Sequence, residues 1–221
     1  MSFSNKAINY FNALSAPKIS DNSINIINPY ESPEVKKSVK NFYTKFYDDN
    51  KDRTFIIGIN PGRFGGGLTG ISFTDPVVLR THCKIENDFG NRAELSSKFI
   101  YAVIENFGGV KKFFSRFFLT ALYPFALIKD GKNYNYYDST TLADKLRSSI
   151  IKNIKEQITF GARRERVIIL GKKNAAFFSA LNDKHKIFKE IVVLEHPRFI
   201  MQYRIKNLRH YIDKYIKALN N

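Results

Sequence analysis

Four short segments of this chain are almost continuously apolar: Thr54 to Ile59, Phe117 to Leu122, Arg166 to Leu170 and Ile191 to Leu194. Runs of this length with few polar breaks belong to strands covered on both faces, the environment of a parallel sheet. Segments with helical periodicity lie around them. Phe3 to Leu14 and Pro33 to Tyr47 precede the first strand, the second helix being opened by Ser32 as cap and Pro33 at its first position. Glu94 to Asn106 is amphipathic and stops at Gly108-Gly109, and Ser139 to Phe160 repeats leucine and isoleucine at threes and fours. A helix over AAFFSALN follows the third strand, and a basic amphipathic helix runs on from Phe199. Strands alternating with helices predict an α/β fold, a three-layer α/β/α arrangement around a mostly parallel four-stranded sheet. With no internal repeat and no low-complexity linker in 221 residues, one domain spanning 1–221 is expected.

In such sheets ligands bind beyond the carboxyl ends of the strands. The four predicted ends carry Asn60, the segment Thr120 to Pro124, a loop over Gly171 to Asn174, and His196. These groups are expected to meet in one crevice. The first strand leaves into GINPGRFGGGLTGISF, Gly58 to Phe73. A dinucleotide fingerprint needs G-x-G-x-x-G leading straight into a helix, and a phosphate-binding P-loop needs G-K-[ST]. Neither order is present, and Gly171-Lys172-Lys173 lacks the hydroxyl that would hold magnesium. The glycines instead allow backbone to approach something bulky, such as a flat ring lying on Phe73. A tight surface turn joining strand to helix is the simpler alternative.

Charge narrows the partners. Lys and Arg number 36 against 20 Asp and Glu, a surplus of +16. Such a surface favours a polyanion, because each phosphate neutralised releases condensed counterions; it also serves simply to keep a protein soluble. The single cysteine, Cys83, makes no intramolecular disulfide and cannot alone hold an iron–sulfur or zinc site, so no metal and no other cofactor is expected. The N-terminus lacks a signal-peptide layout, and no apolar run approaches the ~20 residues of a membrane span. A cytoplasmic monomer that does not engage a membrane is the expectation.

The loop G-I-N-P-G-x-F-G-x-x-x-T-G-x-x-F over Gly58 to Phe73 closely resembles the first motif of the uracil-DNA glycosylase superfamily, in particular its single-strand-selective monofunctional branch. Leu194-Glu195-His196-Pro197-Arg198 resembles that branch's second motif, a His-Pro pair after the last strand. The histidine separates the chain from mismatch-specific thymine and uracil glycosylases, which share G-I-N-P-G without His-Pro. One cysteine separates it from the iron–sulfur members. The resemblance implies the uracil-DNA glycosylase fold, DNA as partner, and hydrolysis of the N-glycosidic bond of uracil or a related damaged pyrimidine after base flipping, leaving an abasic site in base excision repair. It also assigns roles. Asn60 would position the hydrolytic water or hold the substrate, and His196 would hydrogen-bond the base O2 as negative charge develops there. Gly62, Phe64 and Gly65 would line the base site, and Phe73 would stack on the base.

Those residue types suit the chemistry. Breaking the bond separates an oxocarbenium-like sugar from a pyrimidine anion, so preorganised donors supply the gain. Asparagine cannot take a proton as a general base would, which predicts slower catalysis than an aspartate at that position. Arg63, Arg198, Phe199, Tyr203 and Arg204 are placed to grip phosphate or wedge into the base stack, although Phe199 suits packing at a helix start equally well.

Two departures stand out. The branch normally places His-Asn before Tyr-Pro, and its asparagine reads the uracil edge; here the residues are Thr120-Ala121, and alanine reads nothing. Thr120, backbone groups or Asn174 must then serve, with Asn174 preferred and a helix-capping role its alternative. His-Pro-Ser-Pro has become His-Pro-Arg-Phe, and Tyr123 packs either near the base or in the core. No lysine lies within the motifs for Schiff-base chemistry, so a monofunctional enzyme is expected. The competing reading is a catalytically silent DNA-binding module that keeps the pocket.

Overall fold

In the computed structural model of the protein, which describes residues 1–17, 19, 21 and 23–221, the chain begins with α1 (Phe3–Ala13), β1 (Ile24–Ile27), α2 (Pro33–Tyr47) and β2 (Arg53–Gly58). It continues through α3 (Gly66–Thr69), α4 (Pro76–Thr81), α5 (Leu95–Phe107), α6 (Val110–Phe114), β3 (Phe117–Ala121), β4 (Ala126–Lys129) and β5 (Lys132–Tyr134). The last part holds α7 (Thr140–Ile158), β6 (Ala162–Leu170), α8 (Lys172–His185), β7 (Glu190–Leu194), α9 (Pro197–Tyr203) and α10 (Leu208–Asn220). The four apolar runs form one parallel sheet in the order β3-β2-β6-β7. Its strand β6 starts at Ala162 rather than Arg166, because the segment ARRE is polar and mostly exposed and carries no apolar signal.

Both faces of β2, β3 and the second half of β6 are covered, which is why these strands read as runs rather than alternations, whereas the edge strand β7 leaves Val193 exposed. Phe55 and Phe118 point toward α1 and α2, where Phe3, Tyr43 and Tyr47 surround the Phe118 ring at 5.1, 6.2 and 5.8 Å between centroids. Ile56 and Ile168 point the other way, against Ile100 and Val103 of α5 and Tyr215 and Leu219 of α10. The three layers follow from that division.

A second sheet, antiparallel in the order β1-β4-β5, was not expected. Its β4-β5 hairpin turns on Asp130-Gly131, both left-handed at φ 50° and 68°, the two-residue turn for which Asp-Gly is a strong signal. This hairpin reaches the carboxyl end of β2 and supplies part of the site.

Register aligns the strand ends. Gly58 pairs with Ala121, Ile57 with Ile169, and Leu170 with Leu194. At the opposite end of β2, Arg53 is fully buried and holds Asp49 through two bonds of 2.9 Å, while its Nε donates to Phe114 O at 2.7 Å and Nη1 to Lys51 O at 2.9 Å. Burial works against the Asp49 charge, but the Arg53 bonds and the Lys51 N–H outweigh it and hold the carboxyl below its usual range. Removing one partner of a buried pair is costly because the other groups are left unmatched. Arg53→Met is expected to lower unfolding free energy by roughly 3 kcal/mol, the low end for such pairs since Asp49 keeps some solvent contact; urea denaturation measures it, and a change below about 1 kcal/mol would contradict this role.

Candidate active site

A cavity of about 300 Å³ opens where the strand ends meet, walled by Asn60, Gly62, Arg63, Phe64, Glu94, Lys132, Asn133, His196 and Arg198 among others. A smaller recess leads inward from it, sharing Asn60, Gly62, Glu94 and His196 and adding Gly58, Ser72, Phe73, Ser96 and Ala121. Residues from three of the four predicted strand ends therefore line one space.

Asn60 is held mainly by the end of the hairpin and the residues that follow it, with a longer bond of 3.5 Å from Nδ2 to Pro61 O in its own loop. Its Nδ2 donates to Tyr134 O at 3.0 Å, and its Oδ1 accepts the Tyr136 N–H at 3.3 Å. The two bonds fix which end of the amide is oxygen. That oxygen keeps a second lone pair, which suits it to orient a water and not to remove a proton. The hairpin also holds the loop's next turn, because the Arg63 N–H donates to Asn133 Oδ1 at 3.1 Å.

His196 is the N-cap of α9, and its Nδ1 accepts the Arg198 N–H at 3.2 Å. A nitrogen that accepts carries no proton, so the neutral ring bears its hydrogen on Nε2. Burial, with Arg198 nearby, pushes the His196 pKa down to about 4. At neutral pH the residue is thus an uncharged N–H donor on the cavity wall. Gly171 backs it: a Cβ there would sit 3.4 Å from His196 Cβ.

Phe73 lies at the floor of the recess, its ring 5.9 Å from that of His196 and inclined by 43°. Its backbone is left-handed at φ 55°, an unusual state for a bulky residue that costs about 1–3 kcal/mol and persists only where the surroundings impose it. Thr69 supplies part of that constraint by donating from Oγ1 to Thr74 O at 2.6 Å. Gly58 supplies the room, since a Cβ on it would meet the Phe73 ring at 2.5 Å.

Other expected residues fall elsewhere. Asn174 is not in a loop but in the first turn of α8, fully buried, with Nδ2 donating to Ile57 O and Leu170 O at 3.3 Å and Oδ1 accepting from Tyr136 Oη at 2.6 Å. Its amide is occupied within the core and does not line the cavity. The Thr120 hydroxyl donates to Gln157 Oε1, away from the recess, because strand alternation turns Ala121 inward instead. Tyr123 is buried against Phe125 in the core. Gly65 is buried beside Glu94 and outside the cavity lining.

Of the residues expected to meet DNA, Arg63 and Arg198 line the cavity, and Arg63 lies 4.4 Å over the Phe64 ring with Arg92 4.3 Å over the same ring. The Arg63 guanidinium also bonds to Gly131 O. Phe199 and Tyr203 stand exposed on α9, 5.6 Å apart, with Arg204 over Phe199 at 5.3 Å. Helix packing therefore leaves Phe199 partly uncovered at 39% exposure.

Sequence reading missed Glu94, taking it only as a helix start. It is the N-cap of α5, its N–H donates to Asp75 Oδ2 at 2.7 Å, and its carboxyl lines both cavity and recess. Burial raises that carboxyl to about 7, against Arg198 and with Asp75. Lys132 and Asn133 were missed with their hairpin, whose Asp130-Gly131 turn was the available signal. No group of three His, Cys, Asp or Glu among the described residues could hold a metal ion, and no helix among them is long and apolar enough to cross a membrane.

This geometry bears comparison with known proteins. The model of the uracil DNA glycosylase superfamily matches residues 44–220. The chain belongs to the uracil DNA glycosylase superfamily. The crystal structure of wild-type SMUG2 from Pedobacter heparinus is similar over 100% of this chain and 97% of that one, with 43% sequence identity and a TM-score of 0.95. A comparison with curated proteins finds no match. Membership in the uracil DNA glycosylase superfamily places the chain among DNA-binding glycosylases of base excision repair, and the cavity at its strand ends is where that chemistry is to be sought.

If His196 is neutral with its proton on Nε2, its ring resonances in an NMR titration are expected to hold that tautomer from pH 8 to 5.5 and to change only as the pH approaches about 4. A midpoint near the ordinary histidine value of about 6.5 would contradict the assignment.

Proposed function

We propose that the chain is a monofunctional DNA glycosylase, acting as a monomer, that hydrolyses the N-glycosidic bond of uracil or a related damaged pyrimidine and leaves an abasic site. The observation that carries this reading is the hydrogen bond from the Arg198 N–H to His196 Nδ1, which leaves the proton on Nε2 of a neutral ring that lines one recess with Phe73 and Asn60. The target nucleotide leaves the stack at a cost of a few kcal/mol, reduced for a mispaired or unpaired base. Phosphate contacts by the basic surface, Arg198 and Arg204 among them, offset that cost, while Phe199 and Tyr203 are placed to fill the gap left in the stack.

In the recess the base lies on Phe73 with its O2 against His196 Nε2–H. As the C1′–N1 bond breaks, electrons move onto the base and the sugar becomes oxocarbenium-like. The histidine bond strengthens as charge arrives, which is stabilisation of the transition state over the ground state. A water oriented by Asn60 Oδ1 adds to C1′ and loses its proton to solvent, and the departing base anion takes up a proton after release. A neutral donor suits this step because an imidazolium would first have to be formed in a buried site.

Single-turnover excision from single- and double-stranded uracil oligonucleotides, developed by hot alkali, tests the reading. Wild type is expected to cleave at least one of these substrates. His196→Ala is expected to slow excision by roughly 10²–10³-fold, the effect of losing one oxyanion donor, and Asn60→Ala by roughly 10²-fold through loss of orientation. Absence of wild-type excision, or wild-type rates in both variants, would overturn it.

A further inference from the structure

The recess lacks a reader at the positions where one was expected. The Ala121 side chain has no polar atom, the Thr120 hydroxyl points away to Gln157, and the Asn174 amide is bound within the core. The polar side chains that line it are Asn60, Ser72, Glu94, Ser96 and His196. Both ends of the Asn60 amide are held by backbone, and His196 offers one N–H. The two serines carry single hydroxyls. Glu94 is different in kind: it is half-buried, its carboxyl lines both recess and cavity, and that carboxyl has no hydrogen-bond partner among the described residues.

That carboxyl is also held in place by shape. It lies directly against the glycine loop, where a Cβ on Gly62 would come within 1.9 Å of Oε1 and a Cβ on Gly65 within 2.2 Å of Oε2. Two glycines of the loop thus make room for Glu94, and the Asp75 carboxylate anchors its backbone at 2.7 Å. A carboxyl that no protein group engages, fixed at the edge of a recess by two glycines, is free to pair with whatever enters it.

We propose that the Glu94 carboxyl reads the extruded base, pairing with an edge on which a ring N–H stands beside a carbonyl. The proposal rests on the glycosylase reading and adds the group that recognises the substrate. A carboxylic acid presents an O–H donor and a C=O acceptor side by side, the complement of the N3–H and 4-carbonyl of uracil. An ionised carboxylate accepts the N–H and repels the carbonyl. The charged and titratable groups around Glu94 are Asp75 before α4, His196 and Arg198 at the start of α9, and Arg63 and Lys132 on the cavity wall. With the carboxyl raised to about 7, the pairing acid form is populated below that pH and lost above it.

The test compares wild type, Glu94→Ala and Glu94→Gln in single-turnover excision of uracil at pH 6 and pH 8, alongside binding to an oligonucleotide with a tetrahydrofuran abasic-site analogue, which has no base to read. Glu94→Ala is expected to lose excision at pH 6 by roughly 10- to 100-fold, as for a lost hydrogen bond to a buried polar edge, with abasic-site binding unchanged. Glu94→Gln keeps an N–H and a C=O side by side and is expected to restore most of the pH 6 rate and to remove the wild type's decline toward pH 8. Near-wild-type excision by Glu94→Ala would overturn the proposal. So would Glu94→Gln as slow as Glu94→Ala, which marks a proton acceptor, or loss of abasic-site binding by both variants, which marks a structural role. Absence of wild-type excision would sink the glycosylase reading and this one together, whereas failure confined to the variants' pattern touches Glu94 alone.

Discussion

The site depends on one constraint, the parallel register that ends β2, β3, β6 and β7 at a common level. Because Gly58 lies beside Ala121, and Leu170 beside Leu194, the chain leaves the sheet at adjacent points. Asn60 and His196 stand two residues past the ends of β2 and β7, with only β6 between those strands. A slip of one residue in the β2–β3 pairing would turn Ala121 away from the recess and bring Thr120 or Leu122 to its place. Side-chain packing on the buried faces of β2, β3 and the second half of β6 holds that arrangement.

On that platform the residues are held by groups distant in sequence. The hairpin fixes the Asn60 amide, the first turn of α9 fixes the His196 ring, and Gly58 admits the Phe73 ring under the recess. Withdrawal from water acts on both titratable groups in the same sense: it favours neutral imidazole at His196 and a neutral acid at Glu94. Below about pH 7 the site thus carries little formal charge where a base would sit, with Arg63, Lys132 and Arg198 at its wall. An anion forming on the base meets a preset donor and little competing water, the condition under which one hydrogen bond has a large effect on rate.

Much of this was legible in the sequence, and the reasons are particular. The sheet was readable because β2, β3 and the end of β6 are doubly buried and lose their polar alternation, and because β7 is itself a β-branched apolar run, and α2 because Ser32-Pro33 marks its start so plainly. Asn60, Phe73 and His196 were readable because each adjoins a motif at a strand end. The β4-β5 hairpin was overlooked although Asp130-Gly131 signals it, because its strands are short and mixed in polarity. Asn174 was misplaced because GKKN resembles a loop, whereas Gly171 alone makes the turn and Lys172 already begins α8. Glu94 gave no signal. A glutamate before an amphipathic helix is common, and only folding brings its carboxyl against Gly62 and Gly65, which precede it by about thirty residues.

The central claim is that an extruded base lies on Phe73 with its O2 at His196 Nε2. A crystal structure with DNA carrying 2′-fluoro-2′-deoxyuridine, whose glycosidic bond resists cleavage, tests it most directly. The account predicts a uracil ring stacked on Phe73, with O2 within about 3 Å of Nε2, the length of a normal hydrogen bond. A base left in the helix, or one seated in the cavity out of reach of His196, would contradict it.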